Sequence, residues 1–433
     1  MSTVPIGELQ IGSVLSADVK SKQGRLLLVA GTKLEDRHIK ILKTWGVYEA
    51  PVDSDQARQE PQVSQAVQAP QPSQQTQAPQ PAQEPKVDIT VSDQACLAYS
   101  QCRFSLSKNP GPIEKMLMRR HFLRTKERVD TGLVSIKQLK CAKCVDAAEL
   151  PRMTALDPDK IITGNTQLAS PPHVFREIIK ALQDPKSSVS YLADVIAKDP
   201  ALTARLLRIV NSPFYGQTQK IDTPARALLI LGAKKLTSLA AGIAIMSVFD
   251  GIPQSVLNME LFWKHSLSCG VVCKLLALQV EPELEDSLFL AGMLHDIGKL
   301  VMLKDYAKHA ALVLSASRQL AKPSYEIEKA VWGFTHADIG ARLAEQWNFP
   351  TSLVNAIRFH HSHSKAPDHH ESEFVHLADH IANAMEIGTS GSWLFPPLLH
   401  VRLGRHAPSI NLLKAILPVA ESQTEEIVGL FLL

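Results

Sequence analysis

The chain has 433 residues, 45% of them hydrophobic and 21% charged, with a formal net charge of +3. That length suits two or three domains rather than one, and so small a charge does not by itself imply a nucleic-acid partner. Six cysteines in a chain of this size do not suggest a disulfide-built scaffold, and the opening MSTVPIGELQ lacks the basic-then-apolar pattern of a secretory signal.

Residues 1–53 read as a small α+β module, in which the apolar run LLLVAGTKL precedes one helix, DRHIKILKTWGVYEA, and a short strand. Residues 54–86 then form a boundary. The stretch 56–85 holds eleven Gln and six Pro and almost no large apolar residue, so it cannot offset its ordering entropy and should be a disordered linker. Residues 87–160 form a basic, cysteine-containing intermediate segment. Between Arg103 and Cys144 eleven Lys and Arg face three Asp and Glu, most of them on a helix IEKMLMRRHFLRTKERV that follows Pro110 and Pro112.

From about residue 161 to the end the pattern is all-α. Val174, Ile178, Ile179 and Leu182 share one helical face, as do Leu192, Val195 and Ile196. Asp199-Pro200 and Thr223-Pro224 each place a capping oxygen before a proline at the first helical position. Residues 227–249 are apolar, but Lys234 and Lys235 leave a clean run shorter than the ~20 residues of a membrane span, so a buried helix is expected. Further helices are predicted at 258–279, 284–303, 325–347, 351–361 and 372–386, with one or two more after them.

Within this helical region lies AGMLHDIGKL, residues 291–300. Burying His295, Asp296 and Lys299 in an apolar run is costly unless each is satisfied. Lys299 lies three residues beyond Asp296, on the same helical face. His265, His336, His360, His361 and Asp379 occupy other apolar helical stretches or helix ends. Imidazole and carboxylate donors suit Fe, Mn, Ni or Zn, and one carboxylate could bridge two ions in a phosphoryl-transfer site.

The order His265, His295-Asp296, His336, His360-His361, Asp379 resembles the HD superfamily of metal-dependent phosphohydrolases. Joined to DPALTARLLRIVNSPFYG, LFWKHS, FTHADIGARLAEQWNFP and AIRFHH, it resembles an HDOD domain, the HD-related output domain of bacterial signalling proteins. The resemblance runs from about residue 165 to 390, with the HD-like half at about 255–390. The first 53 residues resemble, more loosely, a small module found before the HD domain in some HD-GYP proteins. HDOD domains are regarded as signalling modules without an established catalytic activity, which implies a bacterial cytoplasmic regulator that binds signalling protein partners. The competing reading is a metal-dependent phosphohydrolase acting on a nucleotide or phosphodiester. There, the seven ligand positions would hold one or two ions, Asp296 and Lys299 would serve catalysis, and Lys299 would contact phosphate. After the double histidine the chain reads HHSHSKAPDHH without a Gly-Tyr-Pro element, so HD-GYP-type hydrolysis of cyclic-di-GMP is not expected.

Each feature also has a plainer reading. His295 and Asp296 could be a structural pair, His336 a neighbour of a helix cap, and His360 and His361 exposed at a helix end. His363, His369 and His370 read as surface residues, Cys269 and Cys273 as small core residues, and VNSPFYG as a packing turn. Cys96, Cys102, Cys141 and Cys144 could make a tetrahedral zinc site, with four unrelated thiols as the default. No membrane and no nucleic-acid partner are expected.

Overall fold

A computed structural model describes residues 2–5, 9–20, 26–35, 38–39, 42, 49–52, 90–139, 156–164, 173–183, 189–215, 219–249, 252, 256–367, 370–399 and 408–432. The Gln/Pro-rich stretch, Cys141, Cys144 and His369 lie outside the described residues.

Near the N-terminus, Ser2–Pro5 pairs antiparallel with Glu49–Val52, and Val19–Lys20 with Leu26–Leu28. Leu15, Leu28, Leu34, Leu42 and Ala50 pack a core of their own between them. Buried Gln279 joins this core to the helices. Its amide donates to the Leu27 carbonyl at 2.8 Å and accepts from the Val29 N–H at 3.3 Å.

Every other regular element among the described residues is helical, and the centre is the helix Met259–Val280, buried along nearly its whole length. Its length and apolar composition would suit a bilayer, but 89% of the qualifying stretch is enclosed by other helices. Glycine makes that enclosure possible. A Cβ on Gly270 would stand 2.8 Å from the Phe289 carbonyl, and one on Gly292 2.7 Å from the Cys269 carbonyl. Helix Glu285–Leu294 therefore lies against Met259–Val280 at backbone distance.

The caps fall where the sequence places them. Asp199 accepts from the Leu202 N–H at 3.0 Å, and Thr223 from the Arg226 N–H at 3.2 Å, each ahead of a first-turn proline. The VNSPFYG turn packs as expected, with Phe214 and Tyr215 covering the buried Lys274 ammonium at 4.1 and 4.8 Å.

Three expected single helices are broken. The 227–249 run divides at Gly232, whose φ of +85° ends helix Pro224–Leu231 before Ala233–Val248 begins. The predicted 325–347 helix divides into Ser324–Trp332 and His336–Gln346, with Gly333 left-handed between them and Thr335 closing a capping box on Asp338. The predicted 284–303 helix stops at Leu294 and restarts at Ile297, so His295 and Asp296 stand in a turn. In each case apolar periodicity continues through a turn that redirects the next helix, and periodicity alone does not register it.

The basic segment forms a helix pair, Val91–Arg103 and Pro112–Asp130, laid on the helical core. Its cations are largely spent inside the chain. Arg120 and Arg124 pair with Glu421 at 2.8 and 2.9 Å, and Lys126 pairs with Asp93. Arg103 and Arg128 pair with Glu386, whose carboxylate also meets His121 Nε2 at 3.2 Å. Burial alone would raise the Glu386 carboxyl, but the His121 and Arg103 contacts take it down to about 2. A carboxyl lowered on folding contributes stability above its unfolded value, near 4.5, and loses it as pH falls toward 2. Wild type should therefore melt higher than Glu386→Gln at neutral pH, with the gap closing across that window. A gap unchanged down to pH 2 would contradict the assignment.

Candidate metal centre

Helix Met259–Val280 carries His265 inward, and the turn between Glu285–Leu294 and Ile297–Asp305 carries His295 and Asp296 to the same point. His336 opens helix His336–Gln346, His360 follows helix Thr351–Phe359, and Asp379 lies in His370–Ala384. All are buried, and His361 is half-buried beside them. The seven histidine and aspartate positions picked out in the sequence thus converge, and none faces open solvent.

They converge as two adjoining groups. His265, His295 and Asp379, together with Cys269, bring their donor atoms within 4.8 Å of one another, and so do Asp296, His336, His360 and His361. Asp296 joins the groups. Its Oδ1 faces His336 Nε2 at 3.0 Å and His360 Nε2 at 3.8 Å, while Oδ2 faces His295 Nε2 at 3.3 Å. Asp379 Oδ1 stands 3.1 Å from His265 Nε2 and 3.7 Å from His295 Nε2.

The outward ring nitrogens fix which nitrogen points inward. His295 Nδ1 meets the Gly292 carbonyl and His360 Nδ1 the Ile357 carbonyl, both at 2.7 Å. His336 Nδ1 meets Glu328 Oε2 at 2.6 Å. Each contact fixes Nδ1 as the outward donor and leaves Nε2 facing the centre, where it would become a metal ligand on giving up any proton it carries, the orientation usual around a protein-bound metal. The inward atoms are not satisfied by one another. His295 Nε2, His360 Nε2 and Asp296 Oδ1 are buried without a hydrogen-bond partner, although each lies near the others. Converging, unpaired nitrogen and oxygen donors fit a divalent transition metal, and Asp296 has the geometry to touch two.

Charge is balanced locally. Burial alone would raise the Asp296 carboxyl, but Lys299 and His295 hold it well below the usual carboxylate range. Asp379 is likewise held low against burial by the neighbouring His265 and His295 imidazoles. Burial would lower His295, yet Asp296 and Asp379 bring it up to about 10. His360, with burial and then His295 and His336 acting against its charge, falls to about 3.

Lys299 Nζ donates to Asp296 Oδ2 at 2.8 Å and to Ser390 Oγ at 3.0 Å. It lines a cavity of about 20 Å³ with Glu328, His336, Ser390 and several apolar side chains. That is room for about one water molecule.

Cys269, His363 and the Cys96–Cys102 pair add to or depart from expectation. Cys269 is a core residue, as expected, but its Sγ also lies 3.6 Å from His265 Nε2, and burial holds the thiol well above its ordinary value. His363 is buried beside His376 rather than at the surface, because helix His370–Ala384 packs over it. Cys96 is a buried free thiol whereas Cys102 is disulfide-bonded, so these two do not supply two thiolates to one zinc ion. Glu328, Ser390 and Asn383, which donates to Asp379 Oδ1 at 2.7 Å, were not legible in advance. Only Glu328, an acidic residue beside Ile327 in an otherwise amphipathic helix, left any trace in the sequence.

The HDOD domain family model matches residues 168–363. An uncharacterized protein of Treponema pallidum (strain Nichols) is 27% identical over 202 residues, which is 46% of this chain and 39% of that protein. The chain thus aligns with well under half of that relative. Among solved structures, an HDOD domain protein of unknown function from Geobacter sulfurreducens superposes with a TM-score of 0.55 at 23% identity, covering 64% of this chain and 97% of the other. A Shewanella amazonensis protein that bears a provisional phosphohydrolase name gives 0.51 at 23% identity, covering 63% and 97%. At these identities the likeness extends to the fold alone.

The helix crossing that shapes the site rests on one glycine. A Cβ on Gly298 would lie 1.9 Å from the His336 carbonyl and 2.7 Å from the Gly340 nitrogen. Gly298→Ala should cost about 1–3 kcal/mol or more and pull His336 away from Asp296. Thermal melting beside metal titration tests this; a variant with unchanged melting and unchanged binding would contradict the crossing.

Proposed function

We propose, from the match of residues 168–363 to the HDOD domain family model, that this chain is a bacterial signalling protein that acts by engaging protein partners in the cytoplasm. A metal centre ties its helices together. The observation that carries this reading is enclosure. The donor set is complete, yet the space beside Lys299 and His336 is about 20 Å³, far below the ~300–1,000 Å³ of a small-molecule site. A site with donors but no room for a nucleotide serves cohesion better than turnover.

His265, His295 and Asp379 would hold one ion, and Asp296, His336, His360 and His361 a second, with Asp296 reaching both. Such ions supply cross-linking charge, which favours the closed arrangement of five helical elements over any looser one. Glu328 orients His336 from behind, and Asn383 does the same for Asp379. Lys299 keeps Asp296 ionised.

A second reading, a metal-dependent phosphohydrolase acting on a nucleotide or phosphodiester, draws on Lys299 beside Asp296. It requires the helices around the small cavity to part far enough to admit a phosphate.

Metal analysis of the purified protein, followed by Mn²⁺ titration, tests the reading. One or two ions per chain are expected, with stability raised by about 2.7 kcal/mol at a hundredfold excess over Kd. Asp296→Ala should bind neither ion, and neither form should hydrolyse nucleotides or phosphodiesters. A protein that binds no transition metal would end the metal-centre reading. Turnover present in wild type and lost in Asp296→Ala would replace the binding role with the hydrolase.

A further inference from the structure

The segment that follows helix His370–Ala384, residues 385–399, touches both the candidate metal centre and the helix pair Val91–Arg103 and Pro112–Asp130. We propose that this strap makes docking of the helix pair and metal occupancy a single linked equilibrium, so that each favours the other. The inference rests on the metal-centre reading above.

On the side of the metal centre the strap is close-fitting. Thr389 N–H donates to the Leu261 carbonyl at 2.9 Å, one helical turn before His265. Gly388, with φ +73°, lies so near that a Cβ would stand 2.4 Å from the His265 backbone nitrogen. Ser390 Oγ accepts from Lys299 Nζ, whose other partner is Asp296. Farther along, Leu399 N–H donates to His376 Nε2 at 3.1 Å, and His376 Nδ1 donates to the His360 carbonyl at 2.7 Å.

On the other side the strap carries the anchor of the helix pair. Glu386 accepts from Tyr99 Oη at 3.2 Å and meets His121, Arg103 and Arg128. Phe395 N–H donates to the Arg103 carbonyl at 2.9 Å, and the guanidinium groups of Arg103 and Arg318 lie 5.0 and 4.2 Å from the Trp393 ring. Glu386 adopts φ +50°, and Gly388 and Gly391 are also left-handed, giving three such residues within six positions. A non-glycine residue in that region costs energy and persists only where its surroundings over-determine it. Here both ends supply the constraint.

The helix pair is suited to be the movable partner. Of the four buried residues of Pro112–Asp130, namely Glu114, Leu117, His121 and Thr125, only Leu117 is hydrophobic. Phe104, Ile113, Met116 and Met118 add apolar contacts with the core, and the charge pairs at Glu386 and Glu421 fix how the pair sits on it, so a change at Glu386 reaches both helices. An ion that fixes His265, Asp296 and His360 would steady Lys299, Ser390 and Gly388, and through them Glu386. By reciprocity, a docked helix pair would tighten metal binding by the same factor.

The test uses the full chain and Mn²⁺. Amide hydrogen exchange is measured with and without metal, and Mn²⁺ affinity is measured for wild type, Glu386→Gln, Ser390→Ala and the double variant. Metal should slow exchange in both helices of the pair. Glu386→Gln should weaken Mn²⁺ binding by about fivefold or more, and by less than about twofold when Ser390→Ala is already present. Ser390→Ala, a small change at a buried hydroxyl, should itself fold and bind metal without slowing exchange in the pair. Metal bound with no change in exchange, or equal effects of Glu386→Gln in both backgrounds, would overturn the linkage. Failure of wild type to bind Mn²⁺ is a different outcome, which ends the metal-centre reading and the linkage with it.

Discussion

The whole helical domain is organised by the need to satisfy one carboxylate, Asp296, at 1% exposure. An isolated buried carboxylate would neutralise rather than remain charged. This one remains ionised because Lys299 lies 2.8 Å away and three imidazoles stand around it. Lys299 and His295 flank Asp296 in the chain, whereas His336 and His360 come from separate helical elements, so parting those helices would strip the buried carboxylate of two of its four partners. The apolar core packs the helices, and the charged centre specifies how they meet.

Glycine is the second condition. Four helical glycines, Gly270, Gly292, Gly298 and Gly340, let backbones approach where any side chain would intrude. The approach at Gly298 sets His336 against Asp296, and the approach at Gly292 sets His295 against the helix of His265. Close crossing draws the donors together and also closes the space around them. Enclosure and completeness of the site thus share one cause.

The helical class, the caps at Asp199 and Thr223 and the inward course of all seven donor residues were legible in the sequence, because periodicity and capping are local properties. The breaks at Gly232, Gly333 and His295-Asp296 were not, since apolar spacing continues across them. Nor was the burial of His363, which depends on a helix that begins seven residues later. Glu386 reads as an ordinary polar residue after a helix, and its role becomes visible only once Arg103, His121 and Arg128, more than 250 positions earlier, are set around it. Long-range charge partners leave no mark on the local pattern. For the same reason the basic run near residue 120 reads from the sequence only as a basic segment, and that Glu386 and Glu421 absorb much of its charge shows only in three dimensions.

Whether the buried imidazole and carboxylate donors hold an ion is read most directly by X-ray absorption at the metal edge of zinc-loaded protein. The expected shell is nitrogen and oxygen alone at about 2.0–2.2 Å, with the His265 and His360 clusters supplying it. A sulfur shell at about 2.3 Å, placing the ion on Cys269 or on the cysteines of the basic segment, would contradict it.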